Sequence, residues 1–301
     1  MPTPPTQPAS GPGGSTLPWS GTSITARTLF PDQKSYWIIS PVGYVGPAPA
    51  PTILPLVVFL HGYSFNANLN TPSGYLSWIN HIARQGNVVV FPKYQNSFDL
   101  NSSNWTPNAI ASVKDALSKP WPSIAADPAP GMLLVAHSAG GLVAANMANR
   151  YVANGLPTPK GMVLAMPYQD AGLDAAPMSG IPATTKLLCV VGNADTNVGR
   201  SGADAIFDRT NHLTERSYVR MSSDSHGSPV LTADHHVSEE SSGVGALDFN
   251  GLWKFSDAMA DYVFRGANSS YVFGGGPDQT SLGNWSDGVP VIPMTVTPGK
   301  P

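Results

Sequence analysis

The residues with the most chemistry in them are Val135-Ala136-His137-Ser138-Ala139-Gly140-Gly141. An apolar strand-like run leads in, and an Ala-rich helical run leads out. A serine on such a sharp turn projects its hydroxyl above the sheet edge. The positions two before and two after it must be small, because strand and helix backbones nearly touch there. Ala136 and Gly140 meet that demand. The helix start also sets N–H groups and a positive dipole end beside the hydroxyl. This is an arrangement for nucleophilic attack by Ser138. Such a serine needs a base to take its proton, and the base needs a carboxylate to orient it.

Asp195 ends Val191-Gly192-Asn193-Ala194-Asp195, a turn after an apolar strand. It can accept a histidine N–H and hold its tautomer. Asp170, after the preceding strand, is the rival acid. Two histidines compete for the base. His226 lies in Ser222-Ser223-Asp224-Ser225-His226-Gly227, just past the last strand; His235 lies in Ala233-Asp234-His235-His236-Val237. His137 is expected to be a packing or hydrogen-bonding neighbour of the serine, and His81 and His212 are expected to be structural or exposed. His235 and Glu239 stand four apart, but the set does not match a catalytic zinc spacing. A polar loop is expected there, with no metal and no cofactor. Cys189, the one cysteine, sits in an apolar run and reads as a buried, inert thiol.

These residues need strand ends to carry them. Strands read at 56–60, 87–91, 132–136, 161–165, 186–191 and 216–222, most of them short apolar runs, alternate with helical stretches near 74–85, 106–118, 139–153 and 200–211. Two earlier strands, near 22–30 and 34–40, precede a Pro-rich connector from Pro41 to Pro55. A last helix runs from Asn250 to Phe264, with Leu252, Phe255, Met259 and Val263 on one stripe. Strand–helix alternation of this kind implies an α/β fold: a mostly parallel twisted sheet covered by helices on both faces.

The chain has 301 residues, a formal net charge of −3 and only 12% charged residues. That balance argues against nucleic acid or a polybasic membrane surface as a partner. No apolar stretch is long enough to span a bilayer, and the N-terminus lacks a secretory leader pattern. Localisation stays open between a cytoplasmic chain and a mature exported one. The Pro/Gly-rich residues 1–18 read as a disordered or extended arm, 19–265 as the catalytic domain, and 266–301 as a tail that packs back on it. A monomer is expected.

With the elbow at Ser138 and this element order, residues 23–265 resemble the α/β-hydrolase family, Ala136 standing where the usual pattern has glycine. The resemblance implies an oxyanion hole made by the loop in Phe59-Leu60-His61-Gly62-Tyr63-Ser64 and by the residue after the nucleophile. That points to the backbone N–H groups of Tyr63 (or Ser64) and Ala139, with His61 holding the loop. Tyr218-Val219-Arg220-Met221 followed by a Ser-rich turn and a histidine is similar to cutinase-like polyester hydrolases, which favours His226 over His235. Chlorophyllase-like enzymes share the linear order. Only about twenty residues separate Met166 from Lys186, too few for a large cap, so an open cleft is expected, flanked by Tyr63 and Tyr168 with Trp105 as a wall. The implied activity is hydrolysis of a carboxylic ester through an acyl-enzyme. The alternatives are an amide or peptide hydrolase, and a non-catalytic ligand-binding module on the same frame.

Overall fold

A computed structural model describes residues 1–63, 70–96 and 98–297. Among the described residues nine strands form one sheet: β1 (Trp19–Arg27), β2 (Tyr36–Tyr44), β3 (Ile53–Leu60), β4 (Val88–Pro92), β5 (Ala125–His137), β6 (Pro159–Ala165), β7 (Lys186–Gly192), β8 (Glu215–Met221) and β9 (Thr295–Thr297). Their order is β1-β2-β4-β3-β5-β6-β7-β8-β9. From β4 through β8 every neighbour is parallel, and the two edges are closed by antiparallel pairs. The helices are α1 (Leu76–Arg84), α2 (Ser102–Ser118), α3 (Ala139–Asn149), α4 (Tyr151–Asn154), α5 (Ser201–Arg209), α6 (Trp253–Arg265) and α7 (Pro277–Thr280).

Where the central strands run between the helix layers, at 56–60, 132–136 and 161–165, they are apolar because both faces are covered. Leu56, Val58, Leu134 and Ala136 pack with residues of α2, α3 and α5 such as Val113, Val143 and Ile206. Val57, Phe59, Leu133 and Val135 face the other way, onto Trp78 and Ile79 of α1 and Phe255 and Met259 of α6. Among the described residues no helix or strand is inserted between β6 and β7, so that connection builds no cap over the C-terminal rim. Among the described residues no helix is long and apolar enough to cross a membrane.

Three local departures from the sequence expectations have simple causes. β2 runs on through Pro41 to Tyr44 because β4 pairs only as far as Ile39; beyond it one side of β2 is unpaired, where proline is tolerated. α2 begins at Ser102, capped by the Asn101 side chain accepting the Ser103 N–H, so Pro107 lies inside the helix rather than in its first turn. Residues 1–18, expected to be a disordered or extended arm, lie against the body. Pro2 accepts the Ser228 N–H at 2.8 Å, and Thr3 and Ser286 bond each other twice. The Gly13 N–H reaches Asp257 Oδ2 at 2.7 Å. A Cβ on Gly13 would meet the Phe249 carbonyl at 1.9 Å. Composition rules out a helix there, but an extended Pro-rich segment has little entropy left to lose on docking.

The tail packs along β8 and α6. Leu282, Trp285 and Val291 are buried, and Lys254 of α6 donates to the carbonyls of Gln279 and Ser281 at 3.0 and 2.8 Å. Asp248, just before α6, is buried and accepts the Gly245 N–H. Burial raises its carboxyl from 3.8 to about 7. Between those values the folded chain keeps a proton that the unfolded chain has released, so stability falls as pH rises. The slope approaches about 1.4 kcal/mol per pH unit. Asp248→Asn is therefore expected to flatten the decline of Tm between about pH 4.5 and 7; an unchanged slope in thermal melts would show that the carboxyl is solvated.

Candidate active site

Ser138 joins β5 to α3 with φ 53° and ψ −122°, a left-handed conformation that costs a non-glycine residue free energy. The surroundings enforce it. The Ser138 N–H is held by the Ala165 carbonyl at 3.0 Å, and its own carbonyl accepts from Gly141 and Tyr168. A Cβ on Gly140 would stand 2.1 Å from the Leu60 carbonyl, and one on Gly141 2.4 Å from Pro167. Strand β3 and the turn after β6 thus press on the first turn of α3 and tip the serine upward.

Asp195 follows β7. Its Oδ1 accepts the N–H groups of Asn197 and Val198 at 2.9 and 3.0 Å. Burial pushes its carboxyl up, but the bonds from His235 and these two N–H groups outweigh that and hold it below the usual carboxylate range. It is therefore an ionised acceptor at neutral pH.

The histidine that meets it is His235. His235 Nδ1 lies 2.9 Å from Asp195 Oδ2, and His235 Nε2 lies 2.9 Å from Ser138 Oγ. Because the carboxylate only accepts, Nδ1 carries the proton, and Nε2 is left with its lone pair toward the serine hydroxyl. Ser138, Asp195 and His235 are all buried, so these bonds are little screened by water.

His226, favoured by the sequence, is not brought to Ser138. Its Nε2 bonds Asp287 Oδ2 at 2.8 Å on the surface, and its N–H bonds Asp224. The reason is the path of the chain. After β8 it turns out and comes back, with Asp224 paired antiparallel to Leu231. The outward limb carries His226 toward the C-terminal tail, and the return limb brings Ala233 onto the end of β7. There the Ala233 carbonyl accepts the Ala194 N–H at 3.0 Å, and Gly192 has no room for a Cβ, which would lie 2.2 Å from that carbonyl. A signal for this exists in the sequence: Leu231 and Ala233 form a short apolar anchor just before His235, whereas His226 follows a run of serines and an aspartate.

The rival acid, Asp170, accepts from the Ser102 hydroxyl and the Gly172 N–H, both at 2.8 Å, and from Tyr168. These bonds tie the start of α2 to the turn after β6, away from His235. Ala139 heads α3, where a backbone N–H has no intrahelical partner. Tyr63 follows Gly62, on which an added Cβ would lie 3.2 Å from Ser138 Cβ, so this loop passes beside the serine. Ser64, the other expected donor, lies outside the described residues. The Tyr63 ring stacks on buried Trp105 with centroids 5.7 Å apart, and Trp105 Nε1 donates to the Asp99 carbonyl. Tyr168 donates its N–H to the Ser138 carbonyl from the far side. The three aromatics thus stand on the two loops that border the serine and on α2 behind them.

His61, His81 and His212 are fixed in the frame. His61 sits between the carbonyls of Gly62 and Lys93, both at 2.7 Å, and burial lowers it to about 4. His81 pairs with Asp257, and His212 bonds the Ile181 carbonyl. Burial pushes the Cys189 thiol up. Among the described residues no cluster of three or more His, Cys, Asp or Glu side chains is arranged to hold a metal ion.

A family profile described as alpha/beta hydrolase fold matches residues 57–195, from β3 through the turn that holds Asp195. The chain has the α/β-hydrolase fold. Ser138 follows β5, Asp195 follows β7 and both candidate histidines come after β8, all parallel strands of the sheet. The matched span also supports a hydrolase of the α/β-hydrolase superfamily. It contains Ser138 and Asp195, and stops before both candidate bases. No curated protein matches the chain.

Proposed function

We propose that the protein is a serine hydrolase of carboxylic esters, with Ser138 as nucleophile, His235 as base and Asp195 as acid. The observation that carries this is the chain Ser138 Oγ–His235 Nε2 and His235 Nδ1–Asp195 Oδ2, with 2.9 Å at each link. His235 takes the Ser138 proton as Oγ attacks the ester carbonyl. The carbonyl oxygen becomes an oxyanion, held by the N–H groups of Tyr63 and Ala139. Losing one such donor typically costs about 100- to 1000-fold. The alcohol leaves with the proton from His235, and an acyl group remains on Ser138. Water then attacks the acyl-enzyme with the same base, and Ser138 regains its proton as the acid departs. Asp195 stays ionised throughout and stabilises the imidazolium.

With no helix or strand inserted between β6 and β7, the aromatics Tyr63, Tyr168 and Trp105 favour esters with flat or apolar acyl groups, in keeping with the cutinase-like resemblance. The test uses a fluorophosphonate probe, then a panel from short p-nitrophenyl esters to an insoluble polyester, beside aminoacyl anilides. Stoichiometric labelling on Ser138 and faster ester than anilide turnover are expected. An unlabelled Ser138 would favour a binding module, and faster anilide cleavage an amidase.

A further inference from the structure

A buried polar chain that the triad chemistry does not use runs behind the nucleophile. The Gly62 N–H lies 2.9 Å from Tyr75 Oη, Tyr75 Oη lies 2.8 Å from His137 Nδ1, and His137 Nε2 lies 2.8 Å from the His235 carbonyl. Tyr75 and His137 are each about 1% exposed.

Chemistry fixes the direction of every link. The His235 carbonyl can only accept, so His137 Nε2 carries a proton. Burial, followed by the proximity of His235, lowers His137 to about 3, so its ring is neutral and Nδ1 is an acceptor. Burial pushes the Tyr75 phenol up, so it stays protonated and donates to Nδ1. The same phenol oxygen accepts the Gly62 N–H. Each link has one direction, and the directions agree along the whole chain.

We infer that His137 and Tyr75 are positioning residues which lock the oxyanion loop to the loop carrying the base. The inference rests on the esterase assignment of Ser138 and His235. One end of the chain holds Gly62, whose neighbour Tyr63 supplies an oxyanion donor. The other end holds the main chain of His235 itself. Tyr75 is wedged against Phe59, with ring centroids 5.3 Å apart, so the link is anchored in the core. The packing explains the glycine at 62: a Cβ there would lie 3.0 Å from both His137 Nδ1 and the Tyr75 hydroxyl. The neutral state of His137 matters as well. Its ring centroid is 4.8 Å from that of His235, and a charged ring there would oppose the imidazolium that forms when Ser138 gives up its proton.

The test compares Tyr75→Phe, His137→Gln and His137→Leu in the full chain. Gln keeps an N–H for the His235 carbonyl and Leu does not. Misplacement of catalytic groups by about 1 Å can cost on the order of 100-fold. His137→Leu is expected to lower kcat by about that factor and Tyr75→Phe by about tenfold, with His137→Gln recovering part of the loss. KM should stay within about twofold, because no substrate-facing group changes. Independently of activity, ¹⁵N shifts of the wild-type imidazoles should show His137 neutral and protonated on Nε2 from about pH 5 to 8. A folded Tyr75→Phe protein with wild-type kcat, equal losses in Gln and Leu, or a His137 ring protonated on Nδ1 would each overturn the inference. If His137→Leu does not fold, Tyr75→Phe and the ¹⁵N spectrum still decide it. Turnover that survives Ser138→Ala would instead remove the assignment beneath it, a result the tautomer measurement does not share.

Discussion

Ser138→Ala is expected to lower kcat for a short p-nitrophenyl ester by about 10⁶-fold. The change deletes one oxygen and nothing else that holds the turn. The Ser138 backbone bonds to Ala165, Gly141 and Tyr168 involve no side-chain atom, so the elbow and the oxyanion donors should stay in place. What is lost is the covalent route: without Oγ no acyl-enzyme forms, and water must attack the bound ester directly. A residual rate of about 10³ to 10⁴ over solution is expected from the oxyanion hole and binding alone. The protein should still fold, since alanine opens no sizeable cavity and only the bond to His235 Nε2 is lost. Steady-state rates on wild type and variant, with the fluorophosphonate adduct mapped by mass spectrometry, check it. Comparable turnover in the two proteins would end the serine mechanism.

The fold is legible in the sequence because its core is written in short apolar runs. Of the six parallel strands, those at 56–60, 87–91, 132–136, 161–165 and 186–191 are largely apolar runs, while the one near 216–222 sets Tyr218, Val219 and Met221 among Arg216, Ser217 and Arg220. The elbow is legible for the same reason: Ala136, Gly140 and Gly141 are small where backbones collide, a local requirement that leaves a local mark. The N-terminal arm is not. Its residues carry no periodicity, and the bonds that hold it come from Ser228, Ser286 and Asp257, far along the chain. The histidine that meets Ser138 and Asp195 escapes the sequence on similar grounds. Proximity to the end of β8 favours His226, but the segment after β8 doubles back through the Asp224–Leu231 bridge. A nonlocal pairing of that kind cannot be read from spacing. The Tyr75–His137 link is likewise invisible in the sequence, since Tyr75 lies 62 positions from its partner.

The second large effect separates the two histidines. His235→Ala should lower kcat by about 10⁶-fold, as removal of the serine does, because nucleophile and base act as a unit. His226→Ala should leave kcat within about threefold of wild type, because an exposed ion pair couples weakly to its surroundings. The geometry sets this contrast. His235 bonds Ser138 and Asp195 together inside the protein, whereas His226 is over a third exposed and bonds Asp287 of the tail. For His226 to serve, the Asp224–Leu231 pairing and the His226–Asp287 bond would both have to break, and buried His235 would have to leave Asp195. Two further observations sharpen the comparison. Fluorophosphonate labelling of Ser138 should slow in His235→Ala and proceed at the normal rate in His226→Ala. Added imidazole should restore part of the His235→Ala activity, since the variant leaves a gap beside Ser138 and Asp195, and should do nothing for His226→Ala. A dead His226→Ala beside an active His235→Ala would mean that the working enzyme rearranges the whole segment between β8 and α6.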